Sequence, residues 1–236
     1  MAHEQVLAET EIFANAPANV LTAVGASGTV RNLVRGDVLF EEGDEPESLY
    51  IVLSGRIAIA IGNRPFDHRE SVVALMDDGA LFGEMGMLDK GMRSAGARAI
   101  EPASVLEIPY AAVLSQLEAH PDLMWNVVRM LVTRLRAMDS ALADSVFLDV
   151  TGRTAKRLLE LSGGNDSFTL PVTQEELAGM VGASRERVNK AIASFIKLGW
   201  LEQQDRHYVI LKRDSLLQRS KRSEEHTSEL QSRETI

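Results

Sequence analysis

No cysteine occurs among the 236 residues of the chain, which excludes disulfides, cysteine-ligated iron–sulfur clusters and thiolate zinc sites. No apolar run approaches the ~18 residues a membrane span needs, and Met1–Thr10 has no signal-peptide pattern. A cytoplasmic protein with no membrane role is the expectation. The five histidines (His3, His68, His120, His207 and His226) are scattered without metal-ligand spacing, so no metal site is expected. There is no nucleophile–base pair and no phosphate-binding P-loop, which sets an enzyme aside. Strands and helices do not alternate, which sets a Rossmann fold aside.

What is present is ordinary for a globular protein, 45% hydrophobic and 25% charged. The length suits one large or two small domains. The net charge of −9 is unevenly spread: residues 1–150 carry −11, residues 151–221 carry +4 and residues 222–236 carry −2. A basic segment in an acidic chain hints at polyanion contact by that segment alone.

Residues 10–25 read as short helices, with Thr10 as a cap for Ile12-Phe13 and Pro17 where a helical turn begins. From Val30 to Ile108 the pattern changes to short β-rich runs: Val38–Phe40, Ser48–Leu53, Arg56–Ile61, Ser71–Leu75 and Ala97–Ile108. Turn signals such as Gly36-Asp37, Ser54-Gly55 and Gly62-Asn63 separate them. Strands at roughly ten-residue spacing predict a β-barrel or jelly roll.

One stretch, residues 82–99, concentrates chemistry. It sets a lone carboxylate, Glu84, nine residues before a lone guanidinium, Arg93, among Gly83, Gly86 and Gly91, with Ser94 next. A carboxylate suits the cis-diol of a ribose, whereas a phosphodiester wants a bidentate arginine, a hydroxyl and close backbone amides. The pattern predicts a cyclic-nucleotide cradle in a loop, with Gly83, Glu84, Met85, Arg93 and Ser94 as ligand contacts.

A long helix is predicted from about Pro121 to Phe147. Met124, Val128, Leu131, Leu135, Met138, Leu142 and Ser145 repeat with a 3.5-residue period, the seam of a parallel homodimeric coiled coil. A plain amphipathic core helix is the alternative. Downstream, Thr173 to Glu176 forms a capping box ahead of a helix that ends at Gly182, and Ser184 caps a second helix, Arg185–Leu198. That is a helix-turn-helix, and Trp200–Gln203 with Tyr208–Leu211 would add a wing. Arg185, Glu186 and Lys190 can share one helical face, where they could meet guanine, cytosine and a guanine or phosphate.

Several segments carry a family likeness: Gly36–Phe40, Leu49–Gly55, Phe82-Gly83-Glu84, Arg93-Ser94, Phe147–Arg153, Thr173–Ala178 and Val181–Lys190. Through them the chain resembles the cyclic-AMP receptor protein/FNR family of bacterial transcription factors over residues 10–215. The resemblance implies an α+β chain: a cyclic-nucleotide-binding β-roll (1–120), a dimerisation helix (121–149) and a winged helix-turn-helix (150–221). It implies that Glu84 binds the ribose and Arg93 the cyclic phosphate, assisted by Ser94 and the backbone at Gly83. It also implies that Thr173, Ser184, Arg185, Glu186, Asn189 and Lys190 meet double-stranded DNA at a two-fold symmetric site with TGTGA-like half-sites. RNA polymerase is a further possible partner. Many relatives carry arginine where this chain has Lys190, which lacks the planar fork, so tolerance is expected to be greatest at the base it faces.

In cyclic-AMP-responsive relatives the long helix offers a threonine, often followed by serine or asparagine, to the adenine edge. Here those positions hold Met138 and Asp139. Cyclic AMP remains the first expectation, with another cyclic nucleotide or a degenerate pocket as alternatives. A regulatory module for a partner protein is a further one. The absent cysteines exclude an FNR-type oxygen-sensing cluster. Residues 222–236 look like the in-frame translation of a sequencing adapter, which places the true C-terminus near Ser220 or beyond the chain.

Overall fold

The computed structural model describes residues 3–62 and 70–221. The tail from residue 222, Asn63 of the Gly62-Asn63 turn signal, His68 and His226 lie outside the described residues. Contacts divide the chain into two units, residues 1–136 and 137–236.

The first unit opens with helices α1 (Glu4–Glu9) and α2 (Ala18–Ser27). Thr10 closes α1 rather than opening a helix, and its buried hydroxyl donates to the Leu7 carbonyl at 2.7 Å. A hydroxyl can serve the orphan carbonyls of a helix end as well as the orphan amides of a start. The strands follow as β1 (Thr29–Leu33), β2 (Val38–Phe40), β3 (Ser48–Ser54), β4 (Ile57–Gly62), β5 (Glu70–Met76), β6 (Leu81–Phe82), β7 (Gly96–Ala99) and β8 (Ala103–Pro109). They form two four-stranded antiparallel sheets, ordered β1-β8-β3-β6 and β2-β7-β4-β5. The sheets are jelly-roll-like and do not close into a barrel. The run Ala97–Ile108 divides into β7 and β8, because Pro102 before β8 has no amide to donate to a ladder.

Strand β3 explains the two cores. Tyr50 and Val52 enter the cluster between the sheets, while Leu49 and Ile51 enter a second cluster under the helices. Both faces are buried, so the strand reads as an unbroken apolar run instead of an alternating one. The 82–99 stretch is not wholly loop, since it contains a short helix, α3 (Met85–Asp89). Helix α4 (Tyr110–Ala119) follows β8.

The predicted long helix begins with a 3-10 turn, Pro121–Leu123, and continues as α5 (Met124–Phe147). Val127 and Met130 bury one face of α5, and Asn126 donates to the carbonyls of Ile12 and Ala14. The stripe of Met124, Val128, Leu131, Leu135, Met138 and Leu142 is instead 42–69% exposed.

The second unit contains α6 (Val150–Leu161), β9 (Ser167–Thr169), α7 (Gln174–Val181), α8 (Arg185–Lys197), β10 (Leu201–Gln204), β11 (His207–Ile210) and α9 (Arg213–Ser220). The capping box at Thr173 forms as predicted, and Gly182 ends α7 with φ 67°, in the left-handed region. The wing hairpin gains a third strand, β9, paired to β11. Arg153 ties these parts together, donating to the carbonyls of Leu148 at 2.7 Å and Val181 at 2.8 Å.

Asp149 caps α6 by accepting the Gly152 amide at 2.8 Å, and it also receives Arg219 of α9 at 2.5 and 2.6 Å. Burial opposes its charged form, but that amide and the guanidinium outweigh it and hold the carboxyl below its ordinary value. Asp149→Ala should lower stability to urea unfolding at pH 7 by about 1 kcal/mol. A carboxyl depressed in the folded state stabilises above its unfolded value, near pH 4, and loses that effect as the pH falls through the folded one. The gap between wild type and variant should therefore close in acid.

Candidate functional site

Strand β6 ends at Phe82, and the chain turns through Gly83 (φ 78°) into Glu84 at the start of α3. Glu84 is 1% exposed. Its Oε1 accepts from Nη1 of Arg134 on α5 at 2.5 Å, while Nη2 of Arg134 donates to the Leu81 carbonyl at 2.7 Å. A second carboxylate, Glu11, stands 3.9 Å from Arg134.

Arg93 is also buried, at 7% exposure. Its backbone is pinned to the turn after β2, donating to the Asp44 carbonyl and accepting from the Gly43 amide. Its Nη1 donates to the Gly83 carbonyl at 2.8 Å and the Tyr110 hydroxyl at 3.0 Å, and Nη2 donates to the Ser48 carbonyl at 2.7 Å. The Phe40 ring lies 4.0 Å from the guanidinium carbon, with Tyr50 and Tyr110 farther out at 5.6 and 5.9 Å. Gly83 is required here: a Cβ at that position would come within 2.8 Å of Nη1.

Among the described residues no carboxylate pairs with Arg93, and its buried Nε has no hydrogen-bond partner. Burial and the Glu107 carboxylate push the Tyr50 phenol up to about 12. Burial likewise raises Tyr110, against the lowering pull of Arg93. Both phenols are therefore neutral beside the charged arginine.

Gly83, Glu84, Met85, Arg93, Ser94 and Arg134 line one cavity of about 100 Å³. Ser94 is exposed and lies 3.5 Å from the Met85 sulfur. With one carboxylate and two guanidiniums the lining has a formal charge of +1, which suits a monoanion that also carries hydroxyls. Met138 and Asp139 are not among the lining residues, and Met138 is 69% exposed. Sequence reasoning missed Arg134, which stands 50 residues from Glu84 and reads locally as one more polar position of α5. It also missed Tyr110, for which no local signal exists.

In the second unit Arg185, Glu186, Asn189 and Lys190 are exposed on the first turns of α8, while Val188, Ala191, Ile192 and Phe195 are buried behind them. Arg185, Glu186 and Lys190 make no ion pair among the described residues. Helix α8 thus presents unengaged donors and acceptors at its N-terminal end, as base-edge readout requires. Thr173 and Ser184 are also exposed, with their hydroxyls accepting the capping amides of Glu176 and Arg187. Among the described residues no helix is long and apolar enough to cross a membrane.

Two family descriptions match the chain: a cyclic nucleotide-binding domain over residues 30–120 and a Crp-like helix-turn-helix domain over residues 152–219. The CRP-like cAMP-activated global transcriptional regulator of Mycobacterium tuberculosis is 34% identical over 225 residues, covering 92% of this chain and 100% of the relative. The cAMP-activated global transcriptional regulator CRP of Escherichia coli is 30% identical over 161 residues, 65% of this chain and 76% of that protein. Among solved structures, the c-di-GMP responsive global regulator CLP of Xanthomonas campestris is similar with a TM-score of 0.70 at 26% identity, covering 82% of this chain and 99% of that one. FixK2 from Bradyrhizobium japonicum shares the fold, with a TM-score of 0.72 at 19% identity over 82% of this chain and 98% of its own. A buried carboxylate and guanidinium in the first domain, an open recognition helix in the second and a relative matched along its whole length agree on one conclusion: the chain belongs to the CRP/FNR family of DNA-binding transcription regulators, which are not enzymes.

Proposed function

We propose that this protein is a homodimeric transcription regulator whose DNA binding is controlled by a 3′,5′-cyclic nucleotide, with cyclic AMP the first choice. The observation that carries the reading is Arg93, a buried guanidinium without a carboxylate of its own, lining the same cavity as the buried carboxylate Glu84. A cyclic phosphate supplies the missing anion, to which Ser94 adds a hydroxyl. The ribose supplies its one free hydroxyl, at the 2′ position, to the Glu84 oxygen that Arg134 leaves. Relatives named as cAMP-activated support the adenine, and the c-di-GMP responsive neighbour shows that this architecture also serves other nucleotides. Met138 and Asp139, the positions expected at the base, are not among the residues lining the cavity, so no base contact is assigned to them.

The exposed apolar stripe of α5 is the surface we assign to the second copy. Six apolar residues at 3.5-residue spacing, each 42–69% exposed, match a coiled-coil seam. Two recognition helices related by that two-fold axis would read TGTGA-like half-sites through Arg185, Glu186 and Lys190, with RNA polymerase as a downstream partner in the cytoplasm. A second reading, a regulator that binds DNA without an effector, is favoured by one observation: Arg134 already satisfies Oε1 of Glu84.

Isothermal titration should show cyclic AMP binding to the wild-type protein and at least about tenfold weaker binding to Arg93→Ala, since a charge-assisted contact is lost. Operator affinity that does not change at saturating nucleotide would favour the effector-independent reading. Leu135→Asp should convert the dimer to a monomer in sedimentation velocity. Arg185→Ala should relax selectivity at one base pair by about 1–3 kcal/mol, measured by binding to single-base operator variants. A uniform loss across all sequences would mark Arg185 as a phosphate contact instead.

A further inference from the structure

The groups that hold Arg93 divide its five N–H bonds unequally. Both hydrogens on Nη1 are engaged, one by the Gly83 carbonyl and one by the Tyr110 hydroxyl. One on Nη2 goes to the Ser48 carbonyl. The N–H bonds left over are on Nε and Nη2, adjacent nitrogens of the planar fork that can serve two oxygens of one anion. Nε is buried without a partner, although Nη1 and Nη2 each have at least one. A seat built to keep the arginine away from ligands would satisfy that donor too, because an unpaired buried donor is costly.

Tyr110 is itself rigidly held. It is 9% exposed at the start of α4, and its amide donates to the Glu47 carbonyl at 2.8 Å. The next residue along β3, Ser48, supplies the carbonyl for Nη2, so one short segment fixes both the tyrosine and its arginine. The phenol O–H donates to the Gly83 carbonyl in a short hydrogen bond and accepts from Nη1. It therefore bridges the glycine turn and the guanidinium. Phe40 stacks 4.0 Å from the same group and blocks rotation out of the plane.

We propose that Tyr110 is a positioning residue of the effector site, which orients Arg93 so that its Nε edge is free for the phosphate of the nucleotide. The proposal rests on the cyclic-nucleotide reading of the cavity. An arginine side chain loses much rotamer freedom when it is fixed, and here the fold has fixed it in advance of the ligand contact. Tyr110 acts through Arg93 and has no assigned contact with the nucleotide.

The test is isothermal titration of the full chain with cyclic AMP and, separately, adenosine, which lacks the phosphate. Tyr110→Phe should weaken cyclic AMP about tenfold, as loss of a hydrogen bond to a charged group does, and change adenosine less than about twofold. In an Arg93→Ala background the same substitution should have no further effect on cyclic AMP, the signature of a coupled pair. Equal changes for both ligands, additive losses, or tighter cyclic AMP binding by Tyr110→Phe would overturn the proposal; the last would make the tyrosine a competitor for the arginine. Should the wild type bind neither cyclic AMP nor cyclic GMP, the effector reading falls and the proposal with it, whereas wild-type binding without coupling removes Tyr110 alone. If Tyr110→Phe does not fold, the Arg93 Nε–H resonance of the wild type, assigned with Arg93→Lys, provides the second readout. It should shift with cyclic AMP and not with adenosine, and a resonance indifferent to both would count against the proposal.

Discussion

Burying a guanidinium without a carboxylate is among the more costly things a small sheet domain can do, because the charge loses water and gains no counter-ion. In this protein Arg93 meets that cost with two carbonyls, a phenol and an aromatic face. Much of the first domain follows from the need to bring those groups together. The carbonyls come from the same end of the antiparallel β3–β6 pairing, the phenol from the first turn of α4, and the ring from the end of β2. Gly83 lacks a Cβ because one would strike the guanidinium. An arginine that requires so many elements to hold it, and still has a donor to spare, is organised for an anion from outside.

The acidic member of the cavity obeys a different rule. Glu84 is more deeply buried than Arg93, and Arg134 on α5 is its direct counter-ion. The next residue, Leu135, is 57% exposed in the stripe assigned to the second copy. Adjacent residues of a helix point about 100° apart, so one turn of α5 faces the effector cavity with one residue and the seam with the next. On the proposed reading, a ribose hydroxyl that shares Glu84 with Arg134 alters what holds the helix at the turn where the two copies would touch. No long relay is needed there. On that reading the coupling would run through two consecutive residues of a rigid element.

Legibility in the sequence followed locality. Glu84 and Arg93 could be read because the glycines between and around them announce a backbone built for close approach. The capping box at Thr173 and the Gly182 turn were legible for the same reason, as their geometry is set within four residues. Strands β2, β3, β4, β5, β7 and β8 were visible through their turn signals, whereas β1, β6 and β9 were not among the predicted runs; β6 and β9, at two and three residues, are too short to give a period. Helix α9 carries little apolar pattern, and what fixes it is distant in sequence: Leu216 buried completely and Arg219 reaching back 70 residues to Asp149. Arg134 and Tyr110 escaped notice because their roles exist only once the fold has brought α5 and α4 against β6. The Thr10 assignment failed because the same hydroxyl serves either end of a helix, and only the surrounding backbone selects one.

The second domain shows how rigidity and readout are kept apart on a single helix. Val188, Ala191, Ile192 and Phe195 anchor α8, and Arg153 donates to the Val181 carbonyl just before the turn that leads into it. Arg185, Glu186, Asn189 and Lys190 make no side-chain hydrogen bond or ion pair among the described residues, so their hydrogen-bonding capacity is intact. Specificity at a base edge depends on that arrangement. A donor already paired within the protein would have to break one bond to make another, which leaves little discrimination between bases. Lys190 differs from Arg185 in this respect: its ammonium is a compact, well-hydrated charge on a flexible stem, without the fixed fork of a guanidinium. On the proposed reading the sharper readout would belong to the first turn of α8, and Lys190 would contribute attraction to the duplex more than choice among its bases.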